Sequence, residues 1–313
     1  MRGFASLLSE SSKLRNIDFI KRIKYFSKPE SDIYIYSVKL DGVKEKRVFF
    51  KVFKEKNSIC WTQKNLDFYK SNLNMMNKNG FIRFPDIYYC KDNLIIREFI
   101  EGENLEDLFF SKRLVDPGGV LNRIGQGLRQ VEDLFMLRSK DISYIHKIRM
   151  INKCKSYLPL GARKAVEKYI GRLKKEDFID NMVINFGDVQ LKNIILGTDG
   201  KLYLIDLDVF FGSKAMDAAL LVYNLKRHLL RPNLFFYRAA LSCHLNHFLN
   251  GFLKGSDKCR NLLQFNIFYL LIQNYVLFNS SGRSFIVKKY MSYNLVRQIK
   301  SLLEKGLAGF VYC

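Results

Sequence analysis

Asp188, Asn193 and Asp206 bring two carboxylates and one carboxamide into a single stretch, residues 182–211, MVINFGDVQLKNIILGTDGKLYLIDLDVFF. Carboxylates take up protons, and carboxylate and carboxamide oxygens hold hard cations. Any one of the three alone would be an ordinary turn residue. Their spacing asks for more. The apolar run 182–184 leads into Phe186-Gly187-Asp188, Asn193 follows five residues after Asp188, and the aliphatic Ile194-Ile195-Leu196 comes next. Thr198-Asp199-Gly200 is a hairpin signal, and Leu202-Tyr203-Leu204-Ile205 then reads as a short strand ending in Asp206-Leu207-Asp208. The stretch is strand, loop, strand, turn, strand, with its polar groups at the ends of short buried strands.

That arrangement resembles the catalytic core of the eukaryotic-like kinase superfamily, in which H-R-D or H-G-D precedes an Asn by five residues and a D-F-G-like Asp follows the next hairpin. The resemblance implies ATP- and Mg²⁺-dependent phosphoryl transfer. It makes Asp188 the catalytic carboxylate beside the attacking hydroxyl, and Asn193 and Asp206 the metal ligands, with Asp208 a further metal candidate. Gly187 stands where protein kinases carry Arg, and Gly212 with Ala215-Met216-Asp217-Ala218-Ala219-Leu220 is similar to the G-x-x-x-x-D-x-A pattern of the aminoglycoside phosphotransferase and choline kinase branch. Asp206-Leu207-Asp208 after LYLI is also similar to the D-F-D of bacterial lipopolysaccharide-core (Kdo and heptose) sugar kinases. Phe186 departs from the family, which has a packing and orienting His there. The implied fold class is α+β: a two-lobed protein-kinase-like fold with a small antiparallel-sheet N-lobe, residues 1–100, and a larger, mainly helical C-lobe, residues 101–313. The resemblance itself covers roughly residues 33–225.

The elements that must position these groups begin near the N-terminus. Residues 18–25 read as a mixed strand or short helix, FSKPESD (26–32) as a turn-rich loop, 33–38 as an alternating strand, Asp41-Gly42 as a turn and 47–53 as a third strand. By resemblance FSKPESD covers the nucleotide phosphates, with Ser27 and Ser31 where the family has glycines. Lys51, flanked by Phe50 and Val52, points inward if its neighbours alternate faces, and an inward lysine asks for an anion. The helix predicted over 62–77, with Leu66, Tyr69, Leu73 and Met76 at helical spacing, should supply it. It holds no Glu, so Asp67 is the expected carboxylate and Gln63 the fallback. Residues 84–89 and 94–102 read as two more strands, for a five-stranded sheet plus one helix. By resemblance the backbone of Glu98 to Ile100 hydrogen-bonds adenine.

From 105 to 180 the pattern is helical, broken by Asp116-Pro117-Gly118-Gly119 and Leu158-Pro159-Leu160-Gly161, with 120–134 as a core helix. Cations cluster there, among them Arg138, Lys147, Arg149, Lys153, Arg163 and Lys168. Further helices are expected over 217–230, with Asp217 as a helix-start residue, and over 238–253, 261–278 and 291–306. His244 and His247 stand three apart but lack a third ligand, so structural roles are expected. The aromatic run from Phe265 to Phe278 reads as core packing, with the wall of a substrate pocket as the alternative.

A chain of 313 residues that is 48% apolar can bury a sizeable core, and a net charge of +22 asks for an anionic partner. The six cysteines lack C-x-x-C spacing, which argues against zinc. No apolar run reaches transmembrane length and no signal peptide is visible, so the expectation is a cytoplasmic location with peripheral contact on the acidic inner face of the membrane. The leading function is phosphorylation of a hydroxyl on a lipopolysaccharide-core or related surface glycolipid sugar, with ATP and Mg²⁺ as cofactors. Charge favours this anionic acceptor, because a kinase for polycationic antibiotics should be acidic around its pocket. A soluble small-molecule kinase of the aminoglycoside or choline type is the alternative. A pseudokinase that binds nucleotide or membrane without turnover is a third reading, motivated by the missing glycines, the missing helix Glu and Phe186. Nucleic acid is disfavoured as the partner, since no RNP, zinc or helix-turn-helix signature accompanies the charge.

Overall fold

The computed structural model describes residues 17–29, 31–40, 44–54, 63–78, 80–91, 94–140, 143–174, 178, 181–206, 209–228, 238–282 and 284–312. The chain divides into two units: Met1–Glu103 with Ile195–Val209, and Asn104–Ile194 with Phe210–Cys313. The smaller unit thus extends to Glu103 and takes back the hairpin after Asn193, a return that a single cut at residue 100 does not capture.

The smaller unit is built on β1 (Ile17–Ser27), β2 (Ser31–Leu40), β3 (Lys44–Phe53), β5 (Ile87–Lys91) and β6 (Leu94–Glu98), following the short β4 (Ile82–Arg83) in its own sheet. The five longer strands form one antiparallel sheet in the order β1-β2-β3-β6-β5. Alternation sorts their side chains: Tyr36, Val38, Val48, Phe50, Leu94 and Ile96 gather into one buried cluster. Lys51, next to Phe50, therefore belongs to the opposite face. The helix Gln63–Asn77 buries Leu66, Tyr69, Leu73 and Met76, the predicted stripe. Tyr69 is fully enclosed and its hydroxyl donates to the Pro85 carbonyl at 2.6 Å, so its polar end is satisfied where its ring is buried. β4 joins β11 (Leu202–Leu204), β10 (Ile194–Gly197) and β7 (Gly102–Asn104) in a second sheet, and the expected turn between β10 and β11 closes with Gly200 N–H on the Gly197 carbonyl, 2.9 Å.

Two corrections concern this unit. Residues 17–27 are wholly strand, and the expected seven-residue phosphate loop shrinks to a tight connection closed by Lys28 N–H on the Ser31 carbonyl at 2.8 Å. Pairing of Phe26 with Ile33 and of Ser27 with Asp32 extends the ladder to the turn and consumes the segment.

The larger unit is mainly helical. Its helix Pro117–Leu134 starts as its sequence dictates, with Pro117 in the first turn and the Asp116 carboxylate accepting from Gly119 N–H at 2.8 Å. It buries Leu121, Ile124, Leu128 and Val131, and packs against the helix Arg238–Leu253 through the face that carries Gly118, Asn122 and Gly125. Gly125 and Gly251 let the two backbones meet: a methyl group on Gly125 would lie 2.5 Å from the Phe248 carbonyl oxygen, and one on Gly251 2.3 Å from that of Asn122. The helix Asp257–Ser280 is enclosed on most sides, with Phe265, Phe268, Leu271 and Tyr275 in the core, as expected of the aromatic run. The last helix, Phe285–Tyr312, is longer at both ends than its periodicity indicates and kinks at Gly306. A three-stranded sheet, β8 (Met136–Lys140), β9 (Asn181–Asn185) and β12 (Phe210–Gly212), interrupts the helices. β8 lies where the sequence reads as helix; MLRSK carries no alternation, and its strand state comes from pairing with the buried β9.

Candidate active site

β9 delivers the first group of candidate residues, in the larger unit. Val183, Ile184 and Asn185 are completely or almost completely buried, which fixes the strand in the core, and the chain leaves it through Phe186-Gly187-Asp188. Phe186, which stands where the resembled kinases carry His, is itself enclosed as a packing residue. Gly187 takes a left-handed φ of 74°, open to glycine without strain. The turn is pinned from behind by Asp217, whose Oδ2 accepts from Phe186 N–H at 2.6 Å and whose Oδ1 accepts from Gly187 N–H at 3.0 Å. Asp217 is buried in the first turn of the helix Met216–His228, and burial pushes its carboxyl up to about 7 against the pull of those two donors. Sequence reasoning placed Asp217 in the G-x-x-x-x-D-x-A pattern and at the helix start; its bidentate hold on the loop spans thirty residues and was not read from either.

Asp188 then emerges partly exposed, with both carboxylate oxygens engaged by amides. Gln190 Nε2 donates to Oδ1, and Asn193 Nδ2 donates to Oδ2 at 2.7 Å and to the Asp188 carbonyl at 2.9 Å. Asn193 is buried in the 3₁₀ turn Leu191–Asn193, so its amide is held rigidly and its carbonyl oxygen is the atom left for a cation. Gln190 is a second holder that sequence reading missed; a Gln two residues after an Asp in a loop carries no signal of its own.

A second group of candidate residues lies within the smaller unit. Lys51 Nζ donates to Asp206 Oδ1 at 2.6 Å, with the lysine side chain 15% exposed. The anion Lys51 asks for is thus Asp206. Asp67, the expected partner, is solvent-exposed on its helix, because burial of Leu66 and Tyr69 turns residue 67 outward. Gln63 opens that helix with its side chain outside the described residues, as Asp208 is outside them altogether. Asp206 has a left-handed φ of 40°, a conformation Asp tolerates better than most side chains.

Arg97 joins this group and was not foreseen. β3–β6 register sets Arg97 directly opposite Phe49, and the buried guanidinium lies over that ring at 3.9 Å. Burial pulls Arg97 down to about 10, while the negative charge of Asp206 works against that shift. Phe49, Lys51, Pro85, Ile95, Arg97 and Asp206 line a cavity of about 20 Å³, room for roughly one water.

The remaining nucleotide candidates fare differently. Ser27 is exposed; its hydroxyl donates to Asp32 at 2.7 Å and accepts from Lys54 at 3.0 Å. Ser31 is fully buried at the start of β2, so it offers no surface to a ligand in this conformation. At the expected hinge, Glu98 N–H already donates to the Asp86 carbonyl at 2.8 Å and the Glu98 carbonyl accepts from Arg97 at 3.1 Å, while Ile100 is a buried packing residue. Of Glu98 to Ile100, Glu98 is therefore already engaged at both backbone groups. His244 packs edge-on against Phe109, 5.5 Å between ring centres, and His247 is exposed.

Neither the family models nor the curated proteins compared with the chain match its sequence. Solved structures do match it. A choline/ethanolamine kinase family protein from Mesorhizobium loti superposes with a TM-score of 0.57 at 11% identity, over 99% of this chain and 98% of that one. Choline kinase from Cryptosporidium parvum gives 0.56 at 14% identity, over 100% and 99%. The streptomycin–ATP–APH(2″)-IIa ternary complex gives 0.52 at 16% identity, over 95% and 97%. At these identities the likeness is one of fold, and the chain has the kinase-like fold that these structures share.

Proposed function

We propose that the protein is a phosphotransferase that moves a phosphoryl group from ATP to an alcohol. The observation that carries this reading is Asp188: a carboxylate held by two amides on a turn that buried Asp217 pins through its backbone. Such fixing gives a proton acceptor a defined direction, which a solvated turn residue lacks. Asp188 would orient the acceptor hydroxyl and take its proton as the bond to phosphorus forms. The Asn193 carbonyl oxygen and the Asp206 carboxylate are the hard-oxygen donors suited to Mg²⁺, which when bound draws negative charge from the phosphate oxygens. Among the described residues no three His, Cys, Asp or Glu side chains gather around one point, so phosphate oxygens and water would complete such a shell. Lys51 is the cation suited to a phosphate. One structural neighbour was solved with ATP, which supports ATP as the donor.

For the acceptor we propose a sugar hydroxyl of a lipopolysaccharide-core or related surface glycolipid, because a net charge of +22 favours an anionic substrate presented on an acidic surface. ATP consumption measured with intact lipopolysaccharide, with its delipidated sugar, and with choline or an aminoglycoside tests this. Stimulation by lipopolysaccharide is expected, and stimulation by the small alcohols alone would replace the acceptor.

A second reading, nucleotide binding without turnover, is favoured by Arg97. Two cations already face Asp206 in a cavity with room for about one water, so a metal there would meet repulsion until Lys51 moves to a phosphate. Nucleotide binding with no ATP consumption under any acceptor would establish it.

A further inference from the structure

The helix Ser143–Cys154 carries His146, Lys147, Arg149 and Lys153 and no acidic residue. Together with Tyr269 and Met150 these side chains line an open basin of about 720 Å³, the size of a pocket for a substituted sugar, and none of its described lining residues is acidic. Arg149 and Lys153 are four apart on one helix face, a like-charge pair that disfavours an isolated helix. Lys147 is buried at the floor, where its ammonium donates to Ser213 Oγ and Asn266 Oδ1, 2.7 Å each, and lies 5.6 Å from the centre of the Tyr269 ring. Its head is thus held in place rather than free to follow solvent. Asn266 is fixed in turn by donating to the Lys214 carbonyl at 2.9 Å.

The floor and the Asp188 turn are built on one segment. Gly212 pairs with Val183 of β9, Ser213 receives Lys147, and Asp217 pins Phe186 and Gly187. We infer that the basin is an anion subsite that holds a phosphate group already present on the acceptor. This rests on the phosphotransferase reading and narrows its substrate to a sugar bearing a phosphomonoester. The class of reaction that supplies such an acceptor is a prior phosphorylation, or transfer of a sugar phosphate, onto the same glycan.

The test uses the full-length protein and three probes: inorganic phosphate and glucosamine 6-phosphate by calorimetry, and phosphatidic acid vesicles by sedimentation. Arg149→Gln with Lys153→Gln is expected to weaken phosphate and glucosamine 6-phosphate binding about tenfold or more, whereas Lys70→Gln with Lys78→Gln, two exposed cations in the other unit, should not. Loss of vesicle binding in the first variant as well places the phosphate on a lipid; retained vesicle binding places it on a soluble sugar. Lys147→Met is expected to abolish the residual binding, and if it fails to fold the surface pair still decides. Equal losses in both double variants, or no phosphate binding by the unaltered protein, would overturn the subsite. ATP consumption in the same preparation separates the two claims: turnover without basin-dependent binding removes the subsite alone, and basin-dependent binding without turnover removes only the phosphotransfer reading.

Discussion

Asp188 and Asp217 are carboxylates of opposite situation, and the difference sets what each can do. Asp188 is partly exposed and engaged by side-chain amides, so it can meet an acceptor; Asp217 is sealed in the core and can only organise. Asp188→Asn keeps the shape and removes the charge. Turnover is expected to fall about 10²–10⁴-fold, the usual range for loss of a general base, with nucleotide affinity and melting temperature nearly unchanged. Wild-type turnover in this variant would remove Asp188 from the mechanism. Asp217 makes a prediction about pH. Its folded value of about 7 lies above the ordinary 3.8, so between those values the native state keeps a proton that the unfolded chain has released. The resulting stabilisation is complete below the ordinary value and is lost as pH rises through about 7. Buried Glu132, raised to about 8, acts with the same sign. Asp217→Asn cannot titrate, and its melting temperature should therefore decline less between about pH 5 and about pH 8 than that of the unaltered protein. An identical slope would show that Asp217 is ionised throughout.

At the scale of elements, the crossing of Pro117–Leu134 with Arg238–Leu253 depends on absent side chains. Gly125→Ala would press a methyl group against the Phe248 carbonyl, which as backbone cannot rotate away, and should destabilise by about 1–3 kcal/mol in chemical denaturation. Stability within error of wild type would mean that the helices separate freely there. This crossing was invisible in the sequence, where two glycines inside helical patterns read only as weak helix formers. What was legible followed from strict periodicity: the stripe from Leu66 to Met76, the alternation of β2 and β3, the Thr198–Gly200 turn and the aromatic core helix. What was not legible depends on register and long-range pairing. Arg97 stands between Ile96 and Glu98, where nothing local marks it, and only the β3–β6 register reveals that its partner is Phe49. Lys51 likewise announced that it needed an anion. Its position could not say that a residue 155 positions later would supply it instead of the nearest helix. β8 has no alternation to read, since its strand is imposed by β9.

The whole molecule is dominated by its charge. A formal +22 over 313 residues creates a long-range field that short-range packing does not explain, and among the described residues no helix is long and apolar enough to cross a membrane. If the field serves to hold the protein against an acidic bilayer, the attraction must come from lysines and arginines near the lipid headgroups, each contributing about 1 kcal/mol. Because exposed charges are screened beyond about 10 Å at ~0.1 M salt, that attraction is fragile in a predictable way. Binding to vesicles rich in phosphatidylglycerol should be strong at about 20 mM salt and weaken at least tenfold by about 150 mM, with neutral phosphatidylcholine vesicles bound poorly at both. If lipopolysaccharide is the acceptor, vesicles bearing it should lose less affinity over the same range than phosphatidylglycerol vesicles, since a specifically held acceptor adds contacts that salt screens only weakly. Equal binding to neutral and acidic vesicles would assign the charge to a different partner. A duplex oligonucleotide that displaces the protein from acidic vesicles at physiological salt would point to nucleic acid as that partner.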